Sequence, residues 1–148
     1  MSEREFPLYS EKTAAGLRGS GEDAGSLAKF LHIEHIDVGP GTLHARVAVR
    51  AELLTPFGNL HGGVLSALCD HVLGTVCYPV IERGAWAATT EFKLNLLAPI
   101  TRGALDARAE VISLTSKTAV VRIDVENEDR LVCAAQGTVL IMPPRPPR

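Results

Sequence analysis

The chain has 148 residues, of which 46% are hydrophobic and 22% charged, with a formal net charge of -2. That length fills one domain around a single core, and so even a charge balance lacks the clustered Lys/Arg surface that neutralising nucleic-acid phosphates demands. Cys69, Cys77 and Cys133 sit inside apolar segments without zinc or CxxC spacing, and read as buried thiols of a reducing compartment. The start of the chain shows no basic-then-apolar leader, and no long apolar run is free of charge. The expectation is a cytoplasmic protein with neither membrane nor nucleic-acid partner.

Residues 1–31 form an N-terminal extension: a polar start, then two short helix-compatible pieces at 12–17 and 26–31 separated by a Gly/Ser-rich stretch at 19–25. Residues 32–142 form the main domain. Two alternating runs, 33–38 and 42–50, flank Gly39-Pro40-Gly41 as a hairpin. A connecting loop at 51–59 carries Pro56 and Gly58. Four further strands follow at 86–97, 105–114, 118–126 and 131–142, rich in Val, Ile, Thr and Leu. In the second of these, Leu105, Ala107, Ala109 and Val111 share one face against Asp106, Arg108 and Glu110 on the other. Residues 143–148, Pro-Pro-Arg-Pro-Pro-Arg, form a loose tail that joins neither helix nor central strand. Two strands, one helix and four strands in short-loop succession give an α+β fold, a six-stranded antiparallel sheet wrapped around one long helix.

That helix is the informative segment. From about residue 61 to 81, apolar residues recur at Val64, Leu65, Leu68, Cys69, Val72, Leu73, Val76, Cys77 and Val80, a helical period that asks to be wrapped rather than docked on one side. Into this apolar helix the chain buries a carboxylate, Asp70, which costs desolvation unless it is paired, capped or used in chemistry. The remaining arc gathers Gly63, Ser66, Ala67, Asp70 and Gly74, so every neighbour of the carboxylate is small and another chain or a ligand can approach it. Gly62 and Gly63 stand in the first turn, where N–H groups have no intrahelical acceptor and the helix dipole is positive, a candidate oxyanion hole. Each feature has a plainer alternative: glycines as close-packing points, Asp70 as partner of a buried arginine, His61 as a cap or core histidine, His71 at solvent or an interface.

His61-Gly62-Gly63, six intervening residues and then Asp70 resemble the pattern of hotdog-fold acyl-CoA thioesterases, specifically the phenylacetic-acid-pathway type within the 4-hydroxybenzoyl-CoA thioesterase superfamily. The resemblance runs from about residue 33 to 141, through Pro99 and Gly103. It implies hydrolysis of an acyl- or aryl-CoA thioester, with no metal and no cofactor beyond the coenzyme A of the substrate. Asp70 matches the essential carboxylate, as general base or nucleophile. Gly62 matches the glycine whose N–H polarises the carbonyl, with His61 beside it, and Thr89 matches a hydroxyl residue that positions water. Thr55 stands where the family often carries an Asn, with Asn59 nearby but out of register, so its hydroxyl is the weaker second donor. Simple alternation places Thr89 with Glu91, Lys93 and Asn95, opposite Phe92, Leu94 and Leu96.

The resemblance further implies a homodimer that pairs into a dimer of dimers, with Asp70 and Gly62 of each site drawn from opposite chains. Gly63, Asn59 and Ser66 are candidate substrate contacts. The coenzyme A arm is expected to pass the turn at Thr115, Ser116 and Lys117, with Arg102, Lys117 or Arg83 meeting its phosphates or lying as solvated surface charges. Phe57, Leu60, Leu65 and Leu68 are the candidate acyl pocket. Two other readings compete: a non-catalytic acyl-CoA-binding or regulatory module, and an enoyl-CoA hydratase. The second is disfavoured because Asp70 and His71 point about 100° apart on a helix. No G-x-S-x-G elbow surrounds Ser66 or Ser113, and Cys69 falls on the apolar arc.

Overall fold

A computed structural model of the chain describes residues 4–20 and 26–146. Residues 21–25, most of the Gly/Ser-rich separator, and the last two residues of the tail lie outside the described part. The elements in order are α1 (Glu11–Leu17), β1 (Gly19–Ser20), α2 (Ser26–Leu31), β2 (Glu34–Gly39), β3 (Thr42–Ala48), α3 (Gly62–Thr75), β4 (Trp86–Leu96), β5 (Ala104–Leu114), β6 (Thr118–Asn127) and β7 (Arg130–Met142). All strands pair antiparallel in one sheet of order β1-β2-β3-β5-β6-β7-β4. The expected six strands are present, and the two-residue β1 adds a seventh at the β2 edge. This is the hotdog arrangement.

Period-2 alternation fixes which side of the sheet meets the helix. Leu43, Ala45 and Val47 of β3, Leu105, Ala107, Ala109 and Val111 of β5, and Ala119, Val121, Ile123 and Val125 of β6 are buried. Their outward neighbours include Arg46, Asp106, Arg108, Arg122 and Asp124, and Asp106 there accepts from Arg46 Nε at 2.9 Å and meets His44 Nε2 at 2.6 Å. Against the apolar side lies α3, burying Val64, Leu65, Leu68, Cys69, Val72 and Leu73. Gly137 of β7 permits this approach: a Cβ there would stand 2.5 Å from Phe92 Cβ, 2.7 Å from Glu91 O and 3.1 Å from Leu73 Cδ1.

The helix is shorter than the apolar period suggested. It ends at Thr75 and gives way to a turn and a short 3-10 segment at Tyr78–Val80, not a continuous helix to residue 81. Pro79 is the cause, because it has no N–H to donate to the carbonyl of Thr75, four residues earlier, and its ring would crowd that carbonyl in a continuous helix. The stretch Gly62–Val80 is apolar and long enough to span a membrane by composition alone, but its helical part, Gly62–Thr75, packs against the sheet with one face buried. Nor is α3 wrapped on all sides: Gly63 and Asp70 are exposed on the face away from the sheet.

β4 closes the other end of the sheet. Among the described residues it pairs with β7 alone, so one side of its eleven-residue backbone is an open edge. A bulge interrupts the ladder between Thr89 and Glu91, where Thr89 faces Val139 and Glu91 faces Thr138.

Candidate active site

The site begins in the loop before α3. Gly58 N–H donates to Thr55 O (2.9 Å) and Thr55 N–H to Asn59 O (2.7 Å), which folds residues 55–59 into a closed turn with Pro56 second and Gly58 at a φ of +82°. Phe57, at the tip, is 90% exposed. Leu60 N–H donates to Ile100 O and His61 N–H to Leu53 O, seating the chain for entry into the helix. His61 is the N-cap: its Nδ1 accepts from Gly63 N–H at 2.8 Å. In the neutral ring the remaining proton then sits on Nε2.

This cap divides the two glycines. Gly63 N–H is committed to His61, whereas Gly62 N–H, in the first turn, has no acceptor among the described residues. Gly62 opens onto a recess of about 310 Å³ lined by Asn59, Leu60, Leu65, Leu96, Leu97 and Pro99, among others. Leu96 Cδ1 would lie 2.8 Å from a Cβ at position 62, so the glycine is needed for this close approach. Two of the four expected acyl-pocket residues, Leu60 and Leu65, are in the recess. Leu68 is instead fully buried core, and Phe57 projects away into solvent.

Asp70 departs from the expected burial. Its side chain is exposed, and no ion pair or side-chain hydrogen bond engages it among the described residues. The buried-arginine alternative therefore fails. Ser66, one turn earlier, returns its hydroxyl to Gly62 O at 3.2 Å. Along the helix Asp70 lies eight residues past Gly62, roughly 12 Å at 1.5 Å per residue. One chain therefore does not bring the two to a single carbonyl.

Thr89 is the second correction. Cross-strand partners share a face. Thr89 pairs with buried Val139, Phe92 with Gly137 and Leu94 with Ala135, so Thr89 shares the sheet face of Phe92 and Leu94, although unlike them it is exposed. The extra residue is Thr90, whose hydroxyl donates to Thr138 O at 3.0 Å, and it breaks the alternation that would have sent Thr89 outward.

His71 is neither at solvent nor free. It is partly buried, and its Nε2 lies 2.9 Å from Nε2 of His35 on β2. Burial first, then the charge of His35, push His71 down to about 4 against an opposing pull from Asp70. Cys69 and Cys77 offer no nucleophile: the adjacent Cys133 and burial push the Cys69 thiol far above its ordinary range, and burial pushes Cys77 up to about 12. The contact with Cys69 draws Cys133 down, but Cys133 is fully buried in the core.

The remaining candidates sit apart. Thr115, Ser116 and Lys117 form a tight turn in which Thr115 Oγ1 accepts from Lys117 N–H (3.2 Å) and Thr118 N–H (3.0 Å). The turn walls a cavity of about 810 Å³, with Phe6, Leu8, Ile81, Leu114 and Ile141. Ile141 pairs with Ala87 at the start of β4, while Gly62 sits beside Leu96 at its end. Nine strand residues separate those ends, roughly 30 Å, so in one chain this turn is remote from Gly62. Arg102 is exposed and 3.6 Å from Glu128, and Arg83 is exposed.

A family model described as the thioesterase superfamily matches residues 57–134, which include the helix start, Asp70 and Thr89. A putative esterase of Haemophilus influenzae is 30% identical over 118 residues, covering 78% of this chain and 83% of the relative. A 1,4-dihydroxy-2-naphthoyl-CoA hydrolase of Listeria monocytogenes is 29% identical, covering 78% and 94%. Among solved structures, a thioesterase from Haemophilus influenzae superposes with a TM-score of 0.77 at 27% identity, covering 94% of this chain and 92% of that one. The chain thus belongs to the thioesterase superfamily, and it is a thioester hydrolase.

Proposed function

We propose that the protein hydrolyses acyl- or aryl-CoA thioesters at a site shared between two subunits, with Gly62 of one chain and Asp70 of the other. The observation that carries this reading is the helix start, where Gly62 N–H is left unused beside an apolar recess while its neighbour Gly63 is capped. An N–H aimed at a developing oxyanion contributes on the order of 10²- to 10³-fold. Asp70, exposed on a face of small residues, is the carboxylate left for the second subunit to use.

The thioester carbonyl oxygen accepts from Gly62 N–H, with His61 and the Thr55 hydroxyl as nearby donors and Asn59, Gly63 and Ser66 around the bound group. In the general-base route Asp70 takes a proton from water positioned by Thr89, the water oxygen bonds to the carbonyl carbon, and the C–S bond breaks. The thiolate of coenzyme A leaves and recovers the proton. In the nucleophilic route the carboxylate oxygen attacks first and water hydrolyses the resulting anhydride. Either route returns free acid, coenzyme A and ionised Asp70.

The open β4 edge supports the dimer. Leu96 and Leu97 are 55% and 52% exposed at its end, apolar surface that a second copy would cover. Two β4 edges joined antiparallel about a two-fold axis place the start of one strand beside the end of the other. The 810 Å³ cavity with Ser116 and Lys117 then faces the Gly62 recess of the opposite subunit. That gives the pantetheine arm a path and leaves Lys117 and Arg102 for phosphates, with further pairing to a dimer of dimers. We place the protein in the cytoplasm, where acyl-CoA is made. The Listeria relative named for an aromatic CoA thioester favours aryl-CoA within the substrate panel.

Release of thiol from a panel of aryl-, short-, medium- and long-chain acyl-CoAs tests the reading. Turnover that Asp70→Asn abolishes without changing fold or assembly supports it. Tight acyl-CoA binding with no turnover would instead identify a binding module, and hydration of an enoyl-CoA would identify a hydratase.

A further inference from the structure

The apolar face of α3 holds the helix against the sheet by burial and dispersion, which set distance well but rotation about the axis poorly. A directional restraint comes from elsewhere. Among the described residues, one nitrogen or oxygen side-chain hydrogen bond joins α3 to another element, that from His71 to His35 at 2.9 Å. His35 is 4% exposed, and its Nδ1 lies 2.6 Å from Leu17 O, the last residue of α1. The two rings are nearly parallel, 19° apart, with centroids at 5.2 Å.

With both rings neutral, only one proton arrangement satisfies this chain of contacts. The Leu17 carbonyl can only accept, so His35 carries its proton on Nδ1 and its Nε2 must accept. His71 therefore carries its proton on Nε2 and donates. Thr75 Oγ1 donates to His71 O at 2.7 Å, tying the same residue to the next turn.

We propose that the His71–His35 hydrogen bond is a positioning element for Asp70, fixing the rotation of α3 and linking it through Leu17 to the N-terminal helix. The inference rests on the reading of Asp70 as the reacting carboxylate. A side chain some 6 Å from the helix axis moves about 1 Å for a 10° rotation, and a misplacement of that size costs roughly 10²-fold in rate. The charged groups around the pair are few. Asp70 is the next residue on α3, and Arg18 follows Leu17 but is engaged with Glu11, Asp37 and Val38 O. The sheet partners of His35, Gly19 and Ala45, carry no charge. The low pKa of His71, about 4, keeps its ring neutral and donating at neutral pH.

The test uses the full chain. His71→Phe keeps ring volume without a donor, and His71→Gln keeps an amide donor. We expect H71F to lose ~10- to 100-fold in kcat with KM changed by less than about threefold, and H71Q to recover to within about fivefold of the parent kcat. Should H71F not fold, H71N takes its place, its amide being too short to reach His35. Nitrogen-15 spectra of the unmodified protein should show His35 protonated at Nδ1 and His71 at Nε2. Parent-level kcat in H71F, or the opposite tautomers, overturns the proposal. If the parent protein hydrolyses no thioester, the proposed function fails on its own. The link is then read from the carboxyl carbon-13 signal of Asp70, which must move in H71F and return in H71Q; an unmoved signal overturns it.

Discussion

Leu96 closes over Gly62 so tightly that a Cβ at position 62 would stand 2.8 Å from its Cδ1. The end of β4 and the start of α3 therefore share one wall of the recess onto which Gly62 opens.

Gly62→Ala should separate stability from activity. Ala is the better helix former by about 1 kcal/mol, and the atom it meets is the far end of a flexible side chain that can turn aside. The melting temperature is expected to stay within about 4 °C of the parent. The methyl group fills the approach to the N–H, so kcat/KM in the thiol-release assay should fall by ~10-fold or more. A parent-level kcat/KM would mean that the carbonyl binds elsewhere.

Gly137→Ala should do the reverse and strike the fold. Its Cβ would meet Phe92 Cβ at 2.5 Å and the Glu91 backbone oxygen at 2.7 Å, and backbone cannot turn aside. Forcing β4 from β7 there is expected to cost about 3 kcal/mol, or roughly 6–12 °C in a thermal melt. Activity should fall with the folded fraction.

Much of this layout was legible in the sequence because its cause is local. The period-2 burial of Leu105, Ala107, Ala109 and Val111 needs only one strand to be read, and it is what the structure has. The end of α3 carried a local signal too, Pro79, which the longer apolar period masked. Thr89 and His35 are different. The bulge at Thr90 has no turn residue to announce it, and it reverses the face of Thr89. His35 and His71 are separated by 36 positions, so nothing near either residue points to the other. For Asp70, the helical wheel defines a polar arc but says nothing of whether solvent or a second chain covers it.

Acid stability should resolve into two windows. His71 is held at about 4 in the fold against 6.5 ordinarily, so the unfolded chain takes up a proton that the native state refuses. Its contribution is intact above pH 6.5 and is lost as the pH falls to about 4, on the order of 2–3 kcal/mol. Asp106 adds a lower window. Burial would raise it, but hydrogen bonds from His44 and Arg46 outweigh that and leave it below its usual value. Its stabilisation is present above the ordinary carboxylate pKa and is lost as the pH falls through its depressed one. In urea titrations across pH, His71→Leu should flatten the upper window alone. Asp106→Asn, on the outer face of the sheet, should flatten the lower alone and leave kcat unchanged.

Subunit complementation gives the most direct reading of the shared site. Asp70→Asn and Gly62→Val should each be inactive, one lacking the carboxylate and the other the oxyanion pocket. A mixed dimer joins an intact Gly62 from the first variant to an intact Asp70 from the second, restoring one of its two sites, while the other site carries both defects. Random reassortment of equal amounts makes about half the dimers mixed, so activity should recover to about a quarter of the parent value if each restored site works independently. The roughly 12 Å between Gly62 and Asp70 along one helix is the physical reason to expect this. Sedimentation of the mixture should show assemblies of even subunit number. No recovery, in a mixture shown by tagged copurification to have exchanged subunits, would place both groups of each site in a single chain and overturn the shared-site reading.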